Sequence, residues 1–180
     1  MILADVHNHT LISHGEASAA QMYEAARRLG LDWYGFSEHS PLPPGYACPL
    51  YHGDLAGDFP GYVDEVLALR ELFHLPGAPR VLLGMELDWI PSRMPYMREL
   101  AARWPFDYVI GGLHFLGMLA VGSPKNWGRG ESKEERYRRF AAYYREMTAM
   151  VRSGLMNIVA HPDFIKVRCW ESFHAWLAMP

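Results

Sequence analysis

The chain has 180 residues, half of them hydrophobic, with a formal net charge of −3. That length and apolar fraction support one core of ordinary size, and the slight acidity gives no general attraction to nucleic acid or to an anionic membrane surface. No apolar run approaches the ~18–20 residues a bilayer span needs, and the N-terminus lacks the basic and apolar regions of a signal peptide.

The predicted elements alternate strand and helix. A strand over 2–6 leads to a helix near 18–29, where Ala19, Met22, Ala25, Ala26 and Leu29 form the apolar stripe and Gly30 stops it. A strand over 33–37 runs into a long loop, 40–58, with four prolines and three glycines. Helix 59–74, strand 80–87, helix 92–104 and strand 107–113 follow, then a Gly-rich loop over 117–131. Ser132 with Glu135 three residues later makes a capping box for helix 132–153. Strand 156–160 and a helical segment over 169–178 complete the pattern. The sequence contains neither a repeat nor a linker, so a single α/β domain over 1–180 is expected. Cys48 and Cys169 are far apart and form no CxxC pair, which reads as two free thiols in a cytoplasmic protein.

The strand ends carry the chemistry. His7 and His9 close the first strand and, being two residues apart, share one face. His39 ends the second strand, Glu86 the third, His114 the fourth and His161 the fifth, with His14 just beyond the first pair. Parallel strands alternating with helices bring their C-terminal ends to one rim, so these groups should converge there. Asp88 shares the face of Glu86, whereas Glu38 should point away from His39. The two long loops leave strand C-termini and should lie over that rim.

Together the motifs Asp-Val-His-Asn-His-Thr, His14-Gly, Ser-Glu-His-Ser-Pro-Leu-Pro, Gly-Met-Glu-Leu-Asp, Gly-Leu-His-Phe-Leu and Ala-His-Pro-Asp resemble the ordered motifs of the PHP (polymerase and histidinol phosphatase) metallohydrolases. The likeness covers essentially the whole chain and is closest to the histidinol-phosphate phosphatase branch. It implies a distorted, TIM-like parallel (β/α) barrel with two or three divalent metal ions at its C-terminal rim. By motif, His7, His9 and Glu86 would hold one ion, Glu86 would bridge to a second on His114 and His161, and His14 with His39 would hold a third. So many neutral imidazoles favour zinc, iron or manganese. The implied reaction is hydrolysis of a small phosphate monoester, L-histidinol phosphate to L-histidinol and phosphate, by a hydroxide held between cations, with Glu86, His39 and His161 as the catalytic set.

Around that set, Lys166 and Arg168 are candidates to hold the substrate phosphate and Asp88 a substrate amine, although Asp88 could instead support a ligand or cap a helix. Asp5 and Asp163 are candidates to orient imidazoles, and Tyr46, Trp89 and Trp127 to wall an imidazole-bearing substrate. Arg136, Arg138, Arg139 and Arg145 read as a solvated helix face.

The family's later Asp-x-His pair, which supplies two further ligands, has no counterpart after His161. Five strands are also too few for the roughly eight of a closed, side-chain-filled barrel. An incomplete barrel is therefore expected, with an open edge available for self-association. Three other readings stay open: a nucleotide or oligonucleotide phosphoesterase of the same family, a catalytically incomplete metal-binding fragment, and an amidohydrolase, whose first barrel strand also begins His-x-His. Acidic charge disfavours a long nucleic-acid partner.

Overall fold

The computed structural model describes residues 3–50, 53–127 and 131–179. Ile2, at the start of the first expected strand, and residues 51–52 and 128–130 of the two long loops lie outside the described residues. The described strands are β1 (Ala4–Asp5), β2 (Trp33–Phe36), β3 (Arg80–Asp88), β4 (Tyr108–Gly112), β5 (Phe115–Leu116), β6 (Leu119–Ala120) and β7 (Ile158–Val159). Five of them pair in parallel in the order β1-β2-β3-β4-β7 and form a curled half-barrel with helices against its outer side. The helices are α1 (Ala19–Leu29), α2 (Leu55–Arg70), α3 (Met94–Arg103), α4 (Lys133–Arg152) and α5 (Trp170–Leu177). Among the described residues, no helix is long and apolar enough to cross a membrane.

The helix ends follow the local chemistry. Ser18 accepts from the Gln21 amide while the Gln21 side chain accepts from the Ser18 amide, and Gly30 closes α1 at φ 70°. Ser132 and Glu135 form the same reciprocal box at the start of α4. Helix α2 begins at Leu55, four residues earlier than predicted, because Asp54 accepts from the Gly57 amide and caps it. Pro60 therefore sits inside the helix rather than near its start, at the cost of one backbone hydrogen bond. Within the Gly-rich loop, β5 and β6 form an antiparallel hairpin that turns at Gly117, φ 60°.

Alternation along β3 divides the molecule into two layers. Val81, Leu83, Met85 and Leu87 belong to the main core with Phe59, Val63 and Val66 of α2 and Met97 and Leu100 of α3. Leu82, Gly84, Glu86 and Asp88 take the alternate positions and face the inside of the curl. There Tyr108 lies across Gly84 and Gly35: a Cβ on either glycine would fall 2.3 or 2.4 Å from the tyrosine. The Tyr108 hydroxyl donates to the Val6 carbonyl at 2.8 Å and also lies 3.2 Å from the Phe36 carbonyl, tying three strands together beneath the rim. With Ile110, Ala160, Val6 and Leu82 it makes a separate inner cluster. The two outermost strands are short and exposed on both faces, leaving the sheet open at β1 and β7.

Candidate metal centre

Register brings the strand ends level. Glu86 pairs with Ile110 on one side and with His39, just past β2, on the other, while Gly111 pairs with Val159 two residues before His161. The Glu86 side chain, fully buried, stands at the middle of the rim. Its Oε2 is 3.2 Å from His7 Nε2, 3.2 Å from His9 Nε2 and 3.5 Å from His39 Nδ1. Its Oε1 is 2.9 Å from His161 Nε2 and 3.4 Å from His114 Nε2. His14 joins from the loop after β1, its Nε2 2.9 Å from His39 Nε2. The ligand atoms form three overlapping groups: His9, His14 and His39; His7, Glu86 and His161; His39, Glu86 and His114. The groups overlap: His39 and Glu86 each stand in two of them, and His9 Nε2 lies as near to Glu86 Oε2 as His7 Nε2 does.

Two buried carboxylates set the orientation of these rings. Glu38 Oε1 accepts from His9 Nδ1 at 3.2 Å and from the His39 amide at 2.9 Å, while Oε2 accepts from the amide and hydroxyl of Thr10 at 2.8 and 2.7 Å. The Ser13 hydroxyl also donates to Oε1. On the other side, Asp88 Oδ1 accepts from His114 Nδ1 at 2.7 Å. Each carboxylate fixes a proton on Nδ1 and turns Nε2 toward Glu86, as outer partners of ligand histidines commonly do. Asp88 thus orients the His114 ring through Oδ1.

Asp5 and Asp163 do not orient imidazoles. Asp5 accepts from the His7 amide, and Asp163 pairs with Lys166, leaving His161 Nδ1 without a hydrogen-bond partner among the described residues. Glu38 is the group sequence reasoning missed. Strand alternation directed it away from His39, but the β1–α1 loop folds over to meet it there. The signal was the pair of hydroxyls in His-Thr-x-x-Ser-His, two donors between His9 and His14 needing a common acceptor.

The electrostatics suit a cation. Burial opposes ionisation of Glu86, but hydrogen bonds from His161, His7 and His9 hold its carboxyl well below the usual range. Burial likewise opposes charge on Glu38, yet bonds from His9, Ser13 and Thr10 keep it down at about 2. Burial lowers His39 to about 3, so it is a neutral donor at any ordinary pH. His9 is pulled the other way: burial would lower it, but Glu38 and Glu86 raise it to about 9. A field that draws a proton onto a ring between two carboxylates also draws a divalent ion. The donor set fits such ions in geometry too. His114 Nε2 and His161 Nε2 are 3.4 Å apart, close to the ~3.3 Å between two nitrogens on one tetrahedral ion at ~2.0–2.1 Å. Glu86 Oε2, buried with nitrogens of His7, His9 and His39 at 3.2 to 3.5 Å, is the acceptor at the centre of this set.

The other candidates serve packing. The Lys166 ammonium pairs with Asp163 and lies 5.2 Å from the Trp170 ring, and Arg168 Nε donates to the Gly122 carbonyl at 2.9 Å. Both cations thus have local partners in this structure. Trp89 donates to Glu146, Trp127 to the Val121 carbonyl, and the Tyr46 ring packs edge-on to Phe115. Arg136 and Arg139 are not merely solvated, since they bind Ser172 of α5 and the Asn126 carbonyl. Cys169 is buried, its thiol pushed up to about 11 by that burial.

The model of the PHP domain family matches residues 5–178. The chain belongs to the PHP domain family. A "Probable histidinol-phosphatase" of Deinococcus radiodurans is 30% identical over 169 residues, 91% of this chain and 62% of that protein. The chain thus spans about three fifths of that relative's length. Among solved structures, the histidinol phosphate phosphatase of Lactococcus lactis, complexed with zinc, L-histidinol and phosphate, has a TM-score of 0.68 at 20% identity, covering 91% of this chain and 59% of that one. A Listeria monocytogenes structure has a TM-score of 0.75 at 19% identity, covering 97% and 77%. These likenesses establish the PHP-type fold, an α/β half-barrel of five parallel strands.

Proposed function

We propose that this PHP chain is a metal-dependent phosphoric monoester hydrolase domain acting on a small phosphate monoester, with L-histidinol phosphate as the favoured substrate. The observation that carries the reading is the placement of five imidazoles within 3.5 Å of one buried carboxylate, Glu86. The choice of substrate draws on the Deinococcus relative's name and on the ligands of the Lactococcus enzyme.

In this reading His7, His9 and Glu86 would hold one ion, His114 and His161 with Glu86 a second, and His14 and His39 a third, zinc, iron or manganese being the ions such a set prefers. Divalent ions there supply Lewis-acid polarisation of the phosphate and a water acidified toward neutral pH. The chain's own part is to aim the donors. Glu38 and Asp88 hold protons on Nδ1 of His9 and His114, burial keeps His39 unprotonated, and Tyr108 closes the curl beneath the rim so that the donors stand on a fixed floor. Glu86 contributes the one buried negative charge shared by the donors on both sides.

The test is hydrolysis of histidinol phosphate by the purified chain before and after adding zinc, iron or manganese. Turnover that requires added metal and disappears in Glu86→Ala is the expected result. The open edge at β7 favours a second reading, a metal-binding unit without turnover; bound metal with no hydrolysis of any monoester would select it. The same edge is the surface through which self-association would occur.

A further inference from the structure

His161 is held differently from its neighbours at the rim. Nδ1 of His9 meets Glu38 and Nδ1 of His114 meets Asp88, while Nδ1 of His161 is buried with no hydrogen-bond partner among the described residues. The His161 backbone is also strained, at φ 21°, a conformation that persists only where the surroundings enforce it. Three residues on, the Phe164 amide donates to the His161 carbonyl at 2.9 Å and closes a turn through Pro162 and Asp163. That turn brings the half-buried Phe164 ring to 5.1 Å from the His161 ring, centroid to centroid, and to 5.4 Å from the His114 ring, edge to face at 87°. These are the two imidazoles whose Nε2 atoms stand 2.9 and 3.4 Å from Glu86 Oε1. On its far side Phe164 is backed by Gly122, where a Cβ would fall 2.9 Å from Phe164 Cζ, so only glycine leaves room for the ring. Val121, next to that glycine, donates its amide to the His114 carbonyl at 2.8 Å, which ties the backing to one of the same two ligands.

We propose that Phe164 is a positioning residue for the ion shared by His114, His161 and Glu86: wedged between Gly122 and the two rings, it holds His161 by packing where His9 and His114 are held by carboxylates. The proposal rests on the metal reading above and adds a residue to it. A ligand is precise only when its own rotamer is locked by what surrounds it. With no acceptor on Nδ1, the His161 ring is limited in χ1 and χ2 by the groups against its faces, and Phe164 is the aromatic one. Without that ring His161 is free to turn, and it is free to carry its proton on Nε2, the nitrogen that must offer a lone pair to an ion. The order so lost would have to be restored each time the ion binds.

The experiment is a cobalt(II) titration of the full chain, stripped of metal, followed by visible absorption, with bound equivalents counted by elemental analysis. The variants are Phe164→Ala, Phe164→Leu, Gly122→Ala, the Phe164→Ala/Gly122→Ala double variant and Phe173→Ala. Phe173 belongs to the apolar cluster on which Phe164 packs, but its ring contacts among the described residues are with Phe140, Tyr144, His174 and Trp176, so Phe173→Ala reports lost packing alone. The expected result is that Phe164→Ala weakens binding about tenfold, the lower end of what loss of an outer partner costs, and that Phe164→Leu weakens it less. Gly122→Ala should weaken it too, because the added methyl pushes the ring from its place. In the double variant the methyl has no ring to push, so the loss should equal that of Phe164→Ala alone. Phe173→Ala should lower resistance to denaturant and leave metal affinity unchanged. Unchanged affinity in Phe164→Ala, losses that multiply in the double variant, or an equal loss in Phe173→Ala would each overturn the proposal. If Phe164→Ala does not fold, Phe164→Leu and Gly122→Ala, singly and combined, carry the same comparison. A wild-type chain that binds no ion sinks the metal reading and this inference with it, whereas ion binding that no Phe164 variant changes sinks only the inference.

Discussion

The centre of the sheet and its two edges contribute to the same rim on different terms. At the centre, β2, β3 and β4 deliver His39, Glu86 and His114, with side chains 6%, 1% and 17% exposed. Each is anchored further, His39 through its amide on Glu38 and His114 through its ring on Asp88. At the edges, His7 beyond β1 and His161 beyond β7 have side chains 34% and 32% exposed. Among the described residues, no carboxylate accepts from the far nitrogen of His161. The difference teaches that the donor set is preorganised from the middle outward. A strand with neighbours on both sides can bury the polar groups that aim a ligand, because its backbone is satisfied and its flanks are dry. An edge strand of two residues cannot.

Glu86 belongs to both halves, so removing its charge should have the largest effect. In Glu86→Gln, kcat/KM for a phosphate monoester should fall on the order of 10³-fold, about 4 kcal/mol of transition-state stabilisation. Steady-state kinetics in excess metal would measure it. A fall of less than tenfold would remove Glu86 from the centre of the site. The next comparison is between ligands: His39→Ala should weaken metal binding more than His7→Ala, since the anchored central ring has paid its ordering cost before the ion arrives. Paired titrations would read this, and equal losses would break the contrast between centre and edge.

Tyr108→Phe sharpens the contrast from below. It removes the hydroxyl that ties β4 to the Val6 and Phe36 carbonyls but leaves the ring over Gly35 and Gly84. A loss of about 1–3 kcal/mol in unfolding free energy is expected for buried carbonyls left unpaired, with unchanged metal stoichiometry. Chemical denaturation beside elemental analysis would show both. The smallest effects should come from Lys166→Ala and Arg168→Ala, whose cations are already engaged by Asp163 and the Gly122 carbonyl. KM should change less than about twofold, in keeping with the small contribution of exposed ion pairs. A tenfold rise would return them to the phosphate site.

The strand order and the positions of the ligands were legible because each apolar run ends in an imidazole or a carboxylate, and parallel strands place those ends together. The capping box at Ser132 likewise announced α4, which begins at the next residue. The start of α2 was not legible, since Pro60 masks the cap at Asp54, five residues before the predicted start. Glu38 was hidden for a different reason. Alternation tells which side of a strand a residue faces, but not which loop returns to cover that side, and the loop from His9 to His14 is what converts Glu38 into an anchor. The roles given to Asp5, Asp163, Lys166 and Arg168 rested on nearness in sequence to a ligand. In space their side chains meet backbone or one another instead.

The most direct test of a Glu86-centred metal cluster is anomalous X-ray diffraction from crystals of the full chain grown with zinc. The account predicts two or three zinc peaks at the rim, each within bonding distance of nitrogens from His7, His9, His14, His39, His114 or His161, with at least one on Glu86. Zinc peaks elsewhere on the surface and none beside Glu86 would contradict it.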